Sequence, residues 1–261
     1  MSLSLCSSLI NEHLAADQYL KAHRDLLAGE LSLREWRVRP HATSIAREQV
    51  IGDFDTFTRF LLVAYEAEYP WDDYSVESRG YFTTGLLPHL GSFMIRVWRQ
   101  DERRHGPVLG ALYTRLTGGN LNSAHPHAVE AYVEGERGLQ GHYYTRLNAE
   151  LSAASFYTVL AGQCEGAARR MLLNLAGDEY RHLGLFWAEV AGKWGKVGGI
   201  VRLAKRNWRA LKEHRKRRTG IGELGLKGYL LIGQVGLVEI RLALHLMRLP
   251  DISKASATNF G

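Results

Sequence analysis

A five-residue motif occurs twice in this sequence, and both copies carry side chains of the types that bind metal ions. Residues 101–105 read Asp-Glu-Arg-Arg-His, and residues 178–182 read Asp-Glu-Tyr-Arg-His. In an α-helix, positions i and i+3 lie on one face, so the Glu and the His of each copy can point at a common position. A single Glu-x-x-His pair is expected by chance in a chain of this composition, but two copies that also share the Asp and the Arg are not.

Two such pairs on facing helices form most of a known kind of metal site. When each of two further helices adds one Glu, the result is the carboxylate-rich cage that holds two iron ions in helical-bundle proteins. Carboxylate oxygens suit the harder, more highly charged ion, and imidazole nitrogens tolerate ferrous iron. We therefore predict that two iron ions bind to the side chains of Glu102, His105, Glu179 and His182.

The hairpin that contains the second motif indicates a further ligand. Its expected turn, at 162–166, is centred near position 164, about 14 residues after Glu150 and about 15 before Glu179. These two carboxylates therefore lie at the same level of an antiparallel hairpin. Glu165 is the alternative, but it shares a helix with Glu179 at a distance of about 21 Å. We predict that Glu150 is the ligand and that Glu165 is a charge at a helix start.

For the remaining helix, the candidates are Glu66 and Glu68. Glu66 follows Leu62 and Val63 at helical spacing and so projects from the face that they define. Glu68 lies about 200° away around the helix and should face solvent. Glu66 is the preferred ligand, with Glu68 as the alternative.

The elements that must position these side chains are helices. Apolar residues recur at helical spacing in seven segments, and alternating strand patterns of useful length are absent. Breaks are expected near Pro70, at 117–120, at 162–166 and at 219–220. We predict an all-α fold, a single domain over 1–261 with a four-helix core bundle at about 45–194 and a helical extension at about 195–250. The segments are 10–27, 45–69, 88–117, 128–162, 165–194, 199–218 and 226–248.

The charge of the chain, +6 with a pI near 9.3, is concentrated in one segment. Between Lys193 and Arg218 there are eleven Lys and Arg residues and one acidic residue, Glu213. Such a segment favours an acidic partner. It lacks a recognised nucleic-acid-binding motif, so we expect no nucleic acid. The apolar stretch 228–238 is shorter than the roughly 20 residues of a membrane span, and peripheral contact with a membrane is the remaining possibility.

Two features indicate where the protein acts. The N-terminus has neither a basic region nor a long apolar run, so a secretory signal is not expected. The chain has two cysteines, Cys6 and Cys164, too few and too far apart for a disulfide framework. A cytoplasmic location follows as the expectation.

Around the two motifs the sequence resembles the soluble acyl-carrier-protein desaturases. In that family a Trp precedes the first ligand Glu by four residues, an acidic residue directly precedes it, and a Gly follows the His. Here these are Trp98, Asp101 and Gly106. Asp178 is similar to the family's acid that supports the metal-bound imidazole of the other helix. The spacing of Glu66 and Pro70 resembles the family's Glu-Glu-x-x-Pro segment, and the resemblance covers roughly 50–190.

The resemblance implies a ferritin-like bundle with additional helices at both ends and an O2-dependent reaction. Two iron ions would activate O2 and introduce a double bond into a fatty acyl chain on acyl carrier protein, with a ferredoxin-type electron donor. We also expect a homodimer. Ala153 stands where the family usually has Thr. This departure leaves two alternatives open: a di-iron hydroxylase or N-oxygenase acting on another substrate, and an iron-handling protein with no organic substrate.

Overall fold

The structure is a computed structural model that describes residues 1–39, 42–68, 93–121, 139–201, 205 and 225–252. Within these residues the chain is helical and forms an all-α bundle, which confirms the predicted fold class. Short π-helical turns, Ile10–Leu14 and Met94–Trp98, come before α2 and α4. The helices are α1 Ser2–Leu9, α2 Ala16–Ala28, α3 Phe54–Glu68, α4 Arg99–Thr117, α5 Leu139–Ala161, α6 Gly166–Trp194 and α7 Gly225–Arg248.

Four of these helices enclose the core. α3 packs along α4, α5 packs along α6, and the two hairpins meet through contacts of α3 with α5 and of α4 with α6. α6 is the central helix, because every residue from 174 to 180 is buried. Large side chains fill the space between the helices, among them Phe57, Phe60, Leu109, Tyr157 and Trp187. Ionisable side chains on the inner faces are therefore removed from water.

The remaining helices cover this core from outside. α1 and α7 pack against α5, and α2 packs against α6. α7 is long and apolar enough to cross a membrane, although only 22% of its most apolar window is buried. Such a helix is weak evidence for a membrane span. The predicted basic helix at 199–218 lies outside the described residues except for 199–201 and 205.

The turn between α5 and α6 lies where the sequence predicts it. It is held by the segment that precedes α3, through an antiparallel bridge between Val50 and Cys164. The amide of Ile51 donates to the Gln163 carbonyl over 2.9 Å, and the amide of Glu165 donates to the carbonyl of Gln49 over 2.7 Å. These bonds fix the end of the α5–α6 hairpin relative to α3.

The predicted helical segment 45–69 begins later than expected. α3 starts at Phe54 because Asp53 caps it, accepting hydrogen bonds from the backbone and the hydroxyl of Thr56 over 3.0 and 2.7 Å. Before it, Gly52 lies so close to Gln163 that a Cβ would be 2.3 Å from the side-chain oxygen. The segment before Phe54 therefore packs closely against the α5–α6 turn and does not form the first turns of the expected helix.

Candidate metal centre

The four core helices bring six carboxylate and imidazole side chains into one buried cluster. Two groups of possible ligand atoms overlap in it, and the atoms within each group lie within 4.8 Å of one another. The first group is Glu68, Glu102, His105 and Glu179, and the second is Glu102, Glu150, Glu179 and His182. Because Glu102 and Glu179 belong to both groups, the cluster offers two adjacent cation positions with two shared carboxylates.

Both imidazoles turn the same ring nitrogen toward the carboxylates. The Nδ1 atom of His105 lies 3.1 Å from Glu179 Oε1 and 3.9 Å from Glu102 Oε1. The Nδ1 atom of His182 lies 3.4 Å from Glu102 Oε1 and 3.4 Å from Glu179 Oε2. It also lies 3.2 Å from Glu150 Oε2. Nδ1 is therefore the nitrogen that each histidine would offer to a metal ion.

The opposite ring nitrogens face the aspartates of the two motifs in a crossed arrangement. Asp178 Oδ2 lies 3.4 Å from His105 Nε2, and Asp101 Oδ2 lies 3.1 Å from His182 Nε2. Each aspartate thus contacts the histidine of the other motif, which is the contact that the resemblance implied for Asp178. A carboxylate that accepts the Nε2 proton leaves the Nδ1 lone pair directed at the cluster.

The shared Arg of the motif has a place in the same network. Arg104 bonds to Asp101 of its own motif and to Asp178 of the other, the latter over 3.1 Å. Arg181 bonds to Asp101 over 2.7 Å. The repeated Asp, Glu, Arg and His therefore all belong to one network. In it, the guanidinium groups of the two arginines hold the aspartates, and the aspartates orient the imidazoles.

An N-terminal segment completes this network and was not predicted. Arg34 Nε donates to Asp178 Oδ1 over 2.8 Å, and Trp36 Nε1 donates to Asp178 Oδ2 over 3.0 Å. Both lie in a non-helical stretch 144 and 142 residues before the aspartate. A lone Arg and a lone Trp without periodicity give no sequence signal for such a contact.

The choice of Glu66 over Glu68 was wrong, because Glu68 is the one in the cluster. Glu66 is half-buried and belongs to neither group, whereas Glu68 is 8% exposed. The error came from taking Leu62 and Val63 as the inner face, although Val63 is 37% exposed. The buried stripe of α3 instead runs at helical spacing through Phe57, Leu61, Ala64 and Glu68.

The two outer carboxylates are each held by an aromatic side chain. Glu150 Oε1 accepts a hydrogen bond from Trp98 Nε1 over 3.0 Å, and Glu68 Oε1 accepts one from the Tyr157 hydroxyl. Trp98 was expected near the site as a neighbour of the first motif. In the structure it is fully buried and packs edge-on against Phe186, with the ring centroids 6.5 Å apart. These donors fix which oxygen each carboxylate turns inward.

Burial and mutual repulsion dominate the electrostatics of the carboxylates. Burial raises the pKa of Glu68 to about 7, and the charge of Glu102 adds to the rise. Burial also raises the pKa of Glu179 well above its usual range, with further contributions from Glu102 and Glu150. Although burial opposes it, the hydrogen bond with His182 holds the pKa of Glu150 below its usual value.

The imidazoles respond to the same negative charge. Burial alone would lower the pKa of His105, but Glu179 and Glu102 raise it well above its ordinary value. The pKa of His182 is likewise raised, against burial, by hydrogen bonds with Asp101 and Glu102. The cluster therefore attracts positive charge, and protons on the histidines and bound cations are alternative ways of supplying it.

The donor set fits a pair of divalent cations. Four buried carboxylates carry the charge that balances two such ions, and two neutral imidazoles complete the ligands. A set with this many oxygens and two nitrogens, free of thiolates, suits a metal such as iron or manganese. Cys6 and Cys164 are both buried free thiols and belong to neither ligand group.

Five of the six expected ligands lie in the cluster, namely Glu102, His105, Glu150, Glu179 and His182. Glu165, the alternative to Glu150, is exposed at the N-terminal cap of α6. The hairpin arithmetic therefore selected the residue that the structure places beside the second motif.

Comparisons with known proteins add nothing to this geometry. No protein-family model, curated protein or solved structure matches the chain. The site is therefore interpreted from its own contacts.

Proposed function

We propose that this protein is a di-iron oxidoreductase that uses O2 as its oxidant. The observation that carries the proposal is the sharing of Glu102 and Glu179 between two buried ligand groups. Each group adds one histidine and one outer glutamate, so both cation positions have the same ligand types. A structural site for a single ion would not need this duplicated set.

The residues divide into bridging and outer ligands. Glu102 and Glu179 would bridge the two ions. Glu68 with His105 would complete one position, and Glu150 with His182 would complete the other. Bound iron would supply the reduction of O2 and the oxidising power that removes hydrogen from a substrate.

The residues around the ligands prepare the site for that chemistry. Asp178 and Asp101 hold the Nε2 protons of the histidines, which fixes the ring orientation. The Tyr157 hydroxyl donates a hydrogen bond to Glu68 Oε1 at the edge of the cluster, so a proton lies at that oxygen. Phe93 packs edge-on against His182, with the ring centroids 5.9 Å apart, and helps exclude water from this side.

For the substrate we propose a fatty acyl chain on acyl carrier protein, with desaturation as the reaction. The support is the resemblance of both motifs to the soluble desaturases, together with the Asp178 contact that the resemblance implied. The basic segment between Lys193 and Arg218 offers charge complementary to an acidic carrier or an acidic ferredoxin.

The test is an assay of the iron-loaded protein with a reductase, ferredoxin, O2 and a series of acyl-carrier-protein substrates. We expect a product two hydrogen atoms lighter, detected by mass spectrometry, that disappears when O2 is withheld. Glu179→Ala should abolish it, whereas Glu66→Ala, a change of a glutamate outside the cluster, should leave it. A product with one added oxygen atom would replace desaturation by hydroxylation. Product formation by Glu179→Ala would refute the assignment of activity to this site.

A further inference from the structure

The outer face of α7 is apolar and exposed along its whole length. Its side chains lie three, four or seven residues apart, so they fall on one face of the helix, with Gly233 in the gap between Leu230 and Leu237. Single exposed leucines are ordinary on a protein surface, but a stripe of this length is not. The exposed fractions are 75% for Leu226, 59% for Leu230, 55% for Leu237, 60% for Ile240 and 56% for Leu244.

The opposite face of the same helix is fixed to the bundle. Leu231, Val238 and Leu242 are buried there. Two hydrogen bonds also tie the helix down. Ser152 of α5 donates to Glu239 over 2.9 Å, and Ser2 of α1 donates to Gln234 over 3.1 Å. The helix therefore lies flat on the bundle with its apolar stripe outward, and this attachment argues against a membrane span.

Charge on α7 has only one sign at the surface. Arg241 and Arg248 are exposed, Lys227 is exposed but paired with Asp53, and Glu239, the one carboxylate of α7, is turned inward to Ser152. Basic side chains beside an apolar stripe are the pattern of helices that lie in the headgroup region of a bilayer. A second copy of this face would bring two more arginines toward Arg241 and Arg248, and the acidic residue beside α7, Asp53, is already paired with Lys227.

A short helical stretch after α6 is bonded to the C-terminal end of α7. Lys196 Nζ bonds to the carbonyl oxygens of Met247 and Leu249, which ties this stretch to the end of α7. Val197 is 67% exposed and Val201 is 45% exposed, one helical turn apart. This stretch begins the strongly basic segment of the sequence. Two exposed apolar side chains therefore lie in the stretch that is bonded to the end of α7.

We propose that this surface docks onto a membrane that contains anionic lipids. The stripe from Leu226 to Leu244 would lie at the boundary between the lipid headgroups and the acyl chains, with Arg241 and Arg248 beside lipid phosphates. The stripe spans about 27 Å along the helix axis. This surface is separate from the metal cluster, so the proposal stands or falls independently of the proposed function.

The test is flotation of the iron-loaded full chain with vesicles of phosphatidylcholine alone and with equimolar phosphatidylcholine and phosphatidylglycerol. We expect binding to the anionic vesicles, weakened by salt. The double variant Leu230→Ser/Leu237→Ser should lower the partition coefficient by about tenfold or more. Arg241→Gln/Arg248→Gln should lower it by roughly tenfold, since each charge contributes at the surface.

The control is a second double variant, Leu27→Ser/Leu33→Ser, which removes exposed apolar side chains in and after α2 and should bind like the wild type. An unchanged far-ultraviolet circular dichroism spectrum and melting temperature show that each variant folds. Absence of binding to either vesicle, or binding that ignores both α7 variants, would overturn the proposal. So would a wild-type dimer, seen by light scattering, that Leu230→Ser/Leu237→Ser converts to a monomer, because the face would then belong to a second copy.

Discussion

The two hairpins supply the same ligand types to the cluster from different surroundings. In the α5–α6 hairpin, Glu150 lies in the middle of a 23-residue helix and faces a 29-residue helix that is fully buried over 174–180 and 182–188. In the α3–α4 hairpin, Pro107 follows His105 by two residues inside α4. Proline removes one helical hydrogen bond there. The α5–α6 hairpin is therefore the more firmly held of the two.

The outer glutamates show the chemical side of this difference. The pKa of Glu150 is lowered, because His182 holds its ionised form against burial. The pKa of Glu68 is raised to about 7 by burial and by the charge of Glu102. At neutral pH, a larger fraction of Glu68 than of Glu150 is protonated, so a metal ion must displace a proton more often from Glu68. We therefore expect the two candidate metal positions to be unequal, with tighter binding at the Glu150 and His182 position.

The largest effect should come from a ligand that both positions share. Replacing Glu179 with Ala removes one bridging carboxylate and leaves the remaining charges unbalanced. We expect bound iron to fall from about two ions per chain to nearly none, measured by elemental analysis after desalting. Glu66→Ala is the matched control and should retain the full content. Retention of both ions by Glu179→Ala would show that the two halves do not share a ligand.

The outer glutamates should separate the two halves. Glu68→Ala removes a ligand of one position, and Glu150→Ala removes a ligand of the other. We expect each variant to bind about one ion, with the higher affinity in Glu68→Ala because the better-held half remains. Ferrous titration under anaerobic conditions measures both values. Equal affinities in the two variants would contradict the inequality of the halves.

The raised pKa of Glu68 predicts a pH dependence of the metal-free protein. A carboxyl group whose pKa is raised in the folded protein binds more protons in the folded state than in the unfolded state. The free energy of unfolding therefore falls as pH rises from 4.5 to about 7. Glu68→Gln removes this contribution, which is on the order of 3 kcal/mol. Urea unfolding of both metal-free proteins at the two ends of that window measures it. An identical pH dependence in the variant would show that Glu68 titrates normally.

A smaller effect is expected from the aspartates that hold the imidazoles. Asp178→Asn and Asp101→Asn keep the shape of the side chain but remove the charge that orients each ring. We expect each to lower iron affinity by roughly 10- to 100-fold at the position of the opposite histidine. The loss should therefore fall on the His105 position in Asp178→Asn and on the His182 position in Asp101→Asn. Loss at the histidine of the same motif would contradict the crossed contacts.

Much of the site could be predicted because its information is local. The Glu and His of each motif are three residues apart on one helix, and Glu150 follows from the length of a hairpin with a short turn. Glu68 escaped prediction for a physical reason. Leu62 is only half-buried and Val63 is exposed, so these two apolar residues mislead an assignment of the inner face from apolar residues alone.

The outer network could not be predicted from periodicity. Arg34 and Trp36 reach Asp178 from a non-helical segment at the other end of the chain. Such contacts depend on how the whole chain packs and not on spacing within one element. The apolar character of α7 was visible in the sequence, but which of its faces is exposed depends on its packing against α5 and α1.

The central claim is that two metal ions occupy adjacent positions between Glu102 and Glu179. Anomalous diffraction at the iron edge from crystals of the iron-loaded protein tests it most directly. We predict two anomalous peaks about 3.5–4 Å apart. One peak should lie beside Glu68 and His105 and the other beside Glu150 and His182. A single peak would contradict a site for two ions. So would the absence of any peak in crystals whose imidazoles are still bonded to the carboxylates.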